Sequence, residues 1–234
     1  MGIITTVVFD MYETLVENTT ELWIRTFGEI CETQGLAVDH QALFSEWKTL
    51  EMNFREDRLN LDEPEKSPPF MTYEQAWRDC FVGAFAKLGL EGDASAAARK
   101  ADADLGCRWP YQDVLEALPI MQANWRTGVL SNADDDYLFP LIESLGWEFE
   151  AVLSSEMARA YKPLPSPFLR IVEMLKVAPG EVLYVGDNLY DDVLGAQSVG
   201  IKAAWINRFG KPHNPMYPKP DYELRSLMEL PDVL

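Results

Sequence analysis

The chain has 234 residues, 47% of them hydrophobic and 25% charged, with 14 Gly and 15 Pro. This make-up excludes collagen, coiled coil and wholesale disorder. Lys and Arg number 20 against 38 Asp and Glu, a formal charge of −18, and a field of that sign repels nucleic-acid phosphates and anionic lipid across a Debye length of about 8 Å. No nucleic-acid or membrane partner is expected, and any site for an anion must carry local positive charge or a metal.

In chain order, residues 3–9 form the first apolar, β-branched run. The run is too short for a signal-peptide core and lacks a basic flank, and no stretch approaches the ~20 apolar residues of a membrane span. Cys31, Cys80 and Cys107 are far apart and in no metal or redox spacing, so they read as buried thiols in a reducing compartment. A cytoplasmic protein is the expectation.

The next hundred residues have a different texture. Trp23, Phe27 and Ile30 make one helical stripe. Leu43, Trp47, Leu50 and Phe54 make a second, and Tyr73, Trp77, Phe81 and Phe85 a third. The Ala-rich segment 94–103 is a further helix, and Pro64, Pro68 and Pro69 mark a break. The spacing predicts a helical insertion over 16–108, set within an α/β core of residues 1–15 and 109–234. Lys48, Arg55 and Arg58 read as solvated faces of the insertion's helices, and His40 and His213 as ordinary surface residues.

From about residue 111 strands and helices alternate. Short β-branched runs at 127–130, 151–153, 182–185 and 202–206 are separated by helical segments at 137–145, 167–175 and 191–199. The tail reads as a Pro-rich loop over 212–220 and a closing helix at 224–230. Such alternation implies a doubly wound parallel sheet, a Rossmann-like α/β core, and ligands bind such sheets outside the carboxyl ends of the strands. The residues directly after the strands are therefore the candidates for chemistry.

After the first strand comes Asp10-Met11-Tyr12-Glu13-Thr14-Leu15. After the second comes Ser131-Asn132, and after the fourth Gly186-Asp187-Asn188-Leu189-Tyr190-Asp191-Asp192, with Lys162 in Tyr161-Lys162-Pro163 between them. A strand-end carboxylate can attack a substrate, a hydroxyl and an ammonium can hold its anionic oxygens, and clustered carboxylates can hold a hard divalent cation. Taken singly, each has an ordinary reading as a turn, a surface lysine or a helix-start charge pattern. Together, each after its predicted strand, they point to one site.

In this order the motifs resemble the haloacid dehalogenase (HAD) superfamily, and the insertion resembles that family's helical cap. The resemblance implies a hydrolase in which Asp10 is the nucleophile, forming an aspartyl ester. Thr14 would support its loop, Ser131 and Asn132 would grip a small anionic substrate with Asn188 nearby, and Lys162 would neutralise Asp10 and the leaving charge. It also implies Mg²⁺ at Asp10, Tyr12 and Asp187 with Asp191 or Asp192, in a monomer or homodimer. The superfamily's phosphatases carry an acid two places after the nucleophile, where this chain has Tyr12, and Asp-x-Tyr-x-Thr is the form the 2-haloacid dehalogenases show. Gly186-Asp187 is instead the metal-binding form, while Asn188 and Asp191 keep the dehalogenase spacing Asn-x-x-Asp. Three readings stay open: a Mg²⁺-dependent phosphatase of a small phosphorylated metabolite, a metal-independent 2-haloacid dehalogenase, and a HAD-fold binding protein without turnover.

Overall fold

The structure, a computed structural model, describes residues 3–234 and divides into two compact units. One comprises residues up to 17 together with 109–132 and 145–234; the other comprises 18–108 and 133–144.

The first unit is built on a six-stranded sheet, all of whose pairings are parallel, in the order β3-β2-β1-β4-β5-β6. The strands are β1 (Thr6–Phe9), β2 (Arg126–Ser131), β3 (Ala151–Ser154), β4 (Val182–Gly186), β5 (Lys202–Ile206) and β6 (Tyr222–Leu224). All four residues of β1 are fully buried, as a strand covered by helices on both faces requires. Four of its helices are α5 (Gln112–Asn124), α7 (Ser155–Ala158), α8 (Pro165–Leu175) and α9 (Gly195–Ser198). From α8, Phe168, Ile171, Val172 and Leu175 join Val8, Leu130, Leu153 and Tyr184 of the sheet in one apolar cluster. The chain moves outward from β1 through β2 and β3, then returns to β1 and leaves on the other side through β4. The strand order thus reverses at the carboxyl end of β1, the position where such folds bind ligands.

The second unit holds α1 (Thr20–Gln34), α2 (His40–Asp57), α3 (Tyr73–Leu88), α4 (Ala94–Leu105) and α6 (Asp135–Ser144). The three stripes read from the sequence meet here. Phe27 and Trp47 centroids lie 5.2 Å apart, Phe27 and Phe81 5.2 Å, and Trp47 and Phe81 5.7 Å, distances at which aromatic pairs attract beyond simple burial. The helix ends are signalled locally. Asp39 and Asp93 accept backbone N–H bonds at the starts of α2 and α4, Thr72 and Gln75 form a capping box on α3, and Gly35 and Gly89 close α1 and α3 at φ of 62° and 65°. Asp134, just before α6, accepts from the backbone N–H groups of Tyr73 and Glu74 at 2.9 and 2.8 Å.

Several expectations change, and Arg58, expected on a solvated face, is buried. The first strand begins at Thr6 rather than residue 3, because Ile3 is exposed. The helix expected over 191–199 is a wide turn over Leu189–Leu194, with the N–H of Val193 bonded back to Asn188, followed by the short α9. The closing helix is replaced by β6 and a 3₁₀ stretch over Leu227–Val233. Cys107 is exposed, whereas Cys31 and Cys80 are buried, and burial pushes the Cys80 thiol up to about 12. His40 and His213 are both partly buried, the latter with Nε2 3.2 Å from the Pro218 carbonyl. No helix among the described residues is long and apolar enough to cross a membrane.

Candidate active site

Asp10 stands one residue beyond β1, with its N–H donating to the Val185 carbonyl of β4 at 2.8 Å. Residues 11–16 then double back, the N–H groups of Leu15 and Val16 both donating to the Met11 carbonyl and Tyr12 bridging Val16. Thr14 is fully buried within this loop, and its carbonyl accepts from Arg208 at 2.8 Å.

Three strand ends meet at Asp10. The Ser131 hydroxyl, at the end of β2, donates to Asp10 Oδ1 at 2.9 Å. Lys162 Nζ donates to the same oxygen at 2.8 Å, to Asp192 Oδ1 at 2.6 Å and to the Tyr184 hydroxyl at 2.8 Å. Three acceptors match the three N–H bonds of an ammonium. Burial alone would lower the Lys162 pKa, but the carboxylates of Asp10 and Asp192 outweigh it and hold the ammonium well above the ordinary lysine value. The Tyr184 hydroxyl in turn donates to the Leu130 carbonyl at 2.7 Å.

Carboxylate oxygens of Asp10, Asp187 and Asp192 lie within 4.8 Å of one another. Three carboxylates face one ammonium, and the imbalance is felt. Burial, then the charges of Asp192, Asp10 and Glu13, push the Asp187 carboxyl well above the usual range, and burial is the largest influence lifting Asp192 to about 7. A hard divalent cation is the partner such an oxygen set suits. The backbone makes room for this arrangement. A Cβ on Gly186 would lie 2.2 Å from Asp192 Oδ2, while Asp192 is pinned by Lys162 and by the Asn188 N–H at 2.9 Å. Gly186→Ala is therefore expected to cost about 2–3 kcal/mol of stability, the range of overpacked interiors. An unchanged urea midpoint would contradict that packing.

The structure separates the remaining candidates. Asp192 is one of the three converging carboxylates, whereas Asp191 is buried in the same turn but lies outside that group. Tyr12 is half-buried and bridges Val16 within the loop after Asp10. Asn132 clamps the lysine segment, its side chain accepting from the Lys162 N–H at 2.8 Å and donating to the Lys162 carbonyl at 3.1 Å. The Asn188 side chain caps the following turn, accepting from the N–H groups of Tyr190 and Asp191. Both side-chain amides thus organise backbone.

Residues the sequence did not single out complete the site. Tyr184 is a hydroxyl in the middle of the otherwise apolar β4, and that oddity was its one signal. Arg208 reaches Asp113 at 2.6 Å while lying over the Tyr111 ring, 4.1 Å from its centroid; ~100 residues of separation hid it.

The chain is similar to several known proteins. The chain is 26% identical over 221 residues to haloacetate dehalogenase H-2 of Moraxella sp. strain B, covering 92% of this chain and 91% of that one. It is 34% identical over 126 residues to human N-acylneuraminate-9-phosphatase, covering 53% and 51%. The structure of the HAD-hydrolase YfnB from Bacillus subtilis bound to magnesium superposes with a TM-score of 0.81 at 21% identity, covering 100% and 99%. Residues 4–200 match the haloacid dehalogenase-like hydrolase family. With the strand-end carboxylates, serine and lysine falling inside that span, the chain belongs to the haloacid dehalogenase-like hydrolases.

Proposed function

We propose that the chain is a Mg²⁺-dependent phosphohydrolase of a small phosphorylated metabolite. The observation that carries this reading is the convergence of Asp10, Asp187 and Asp192 over the Cβ-free backbone of Gly186. These three carboxylates would hold the cation, which when bound supplies neutralisation and Lewis-acid polarisation of the phosphoryl group.

The chain's own residues do the rest. Ser131 and Lys162 both donate to Asp10 Oδ1, so Oδ2 keeps the lone pairs for attack. Oδ2 attacks phosphorus, the bond to the ester oxygen breaks, and the leaving oxygen departs with its electron pair. Water then attacks the phosphorus of the aspartyl phosphate, the Asp10–phosphorus bond breaks, and the group leaves as dihydrogen phosphate carrying both water protons, with the carboxylate regenerated. Lys162 and Ser131 hold charge on the transferring group throughout. Tyr12 in place of an acid favours leaving groups that need no proton, so aryl and acyl phosphates should turn over faster than alkyl phosphates.

The specific observation favouring a second reading, metal-independent dehalogenation, is that same Tyr12, because a halide leaves unprotonated. One assay separates the two. Phosphate release that stops in EDTA and returns with Mg²⁺ supports the phosphohydrolase; chloride release from 2-chloropropionate, indifferent to EDTA, overturns it.

A further inference from the structure

The loop after Asp10 carries a residue that neither reading uses. Glu13 is one of three non-glycine residues among those described with a positive φ, at 64°, a conformation that disfavours a side chain. It is half-buried and lines, with Asp187, Asn207 and Arg208, a cavity of about 10 Å³, room for about one water molecule. One further observation bears on that cavity. The Arg208 side chain is 10% exposed and its guanidinium is fixed by Asp113 and the Thr14 carbonyl, yet its Nε is buried without a hydrogen-bond partner. A buried donor of this kind calls for an acceptor.

We propose that Glu13 is a positioning residue for the divalent cation, acting through one water in the cavity it shares with Asp187 and Arg208. The water would accept from Arg208 Nε and donate to the Glu13 carboxylate, leaving its remaining lone pair for a cation held by the three carboxylates. Outer partners of this kind set cation affinity and ligand orientation. A glycine at position 13 would relieve the backbone but supply no acceptor.

The inference rests on the metal-dependent reading, and the test keeps the two apart. Mg²⁺ is titrated calorimetrically into the metal-free full chain, with no substrate, for the native protein, Glu13→Gln, Glu13→Gly and Glu17→Gln, the last removing the same charge from the same loop. Glu13→Gln and Glu13→Gly should each weaken Mg²⁺ about tenfold, with Glu17→Gln within twofold of native. The metal-free Glu13→Gly protein should melt higher than native, because glycine accepts this φ without strain. Native-like affinity in both Glu13 variants would overturn the role of Glu13 and leave the metal reading standing. Equal weakening by Glu17→Gln would overturn it in favour of a general charge effect. No Mg²⁺ binding by the native chain would overturn both.

Discussion

Asp10→Asn should fold normally and lose turnover by about 10⁴-fold or more, equivalent to about 5 kcal/mol of transition-state stabilisation. The substitution is isosteric, and its amide oxygen can still accept from Ser131 and Lys162, the two donors now on Oδ1. It also removes one of three crowded carboxylates, which does not harm the fold. What it removes is the anionic oxygen pair, and a neutral amide is no nucleophile toward phosphorus. Steady-state kinetics beside a urea titration check both halves. Residual activity above a hundredth of native, with the substituted residue verified by mass, would show that Asp10 does not carry the reaction.

Lys162→Ala should sharply lower the stability of the core unit. Its Nζ is buried with Asp10 and Asp192 at 2.8 and 2.6 Å, and removing one partner of a buried ion pair costs about 3–5 kcal/mol because the other is left uncompensated. Here two carboxylates are left, and the Tyr184 hydroxyl loses a donor at the same time. The lost methylenes leave a gap beside the Tyr184 ring, over which Nζ sits 5.3 Å from the centroid. In metal-free buffer the urea midpoint should fall accordingly, and adding Asp192→Asn to Lys162→Ala should recover part of the loss, since these residues form one network and do not add. A Lys162→Ala midpoint matching native would mean that the ammonium contributes nothing to the cluster.

The part of this architecture that was legible in the sequence is the part set by local pattern. Buried strands are short β-branched runs, and the positions directly after them necessarily share one sheet edge. Asp10, Ser131 and Asp187 could therefore be grouped before any coordinate, and the helical stripes of residues 23–30, 43–54 and 73–85 announced their own core. What stayed hidden depends on contacts between distant residues or on backbone detail. Asp191 and Asp192 are equivalent in composition; the wide turn after Asn188 decides between them by folding Asp192 back over Gly186. Arg208 and Asp113 meet across 95 positions, beyond the reach of periodicity. α5 carries Pro119 in its interior, which spoils the pattern that would have announced it. β6 is three residues long with one buried side chain, too little alternation to read as a strand.

The central claim, a phosphoryl group carried on Asp10 and released by water attacking phosphorus, is tested most directly by a single turnover in ¹⁸O water with enzyme in excess over an aryl phosphate and Mg²⁺. Mass spectrometry of the released phosphate and of the peptide containing Asp10 then locates the label. The account predicts ¹⁸O in the phosphate and none in Asp10, because the bond broken in the second step is between phosphorus and the carboxylate oxygen. Label in Asp10 after a single turnover of 2-chloropropionate, with no phosphate released from any phosphate ester, would contradict it: water would then have attacked the acyl carbon of an aspartyl ester, the outcome expected of a dehalogenase.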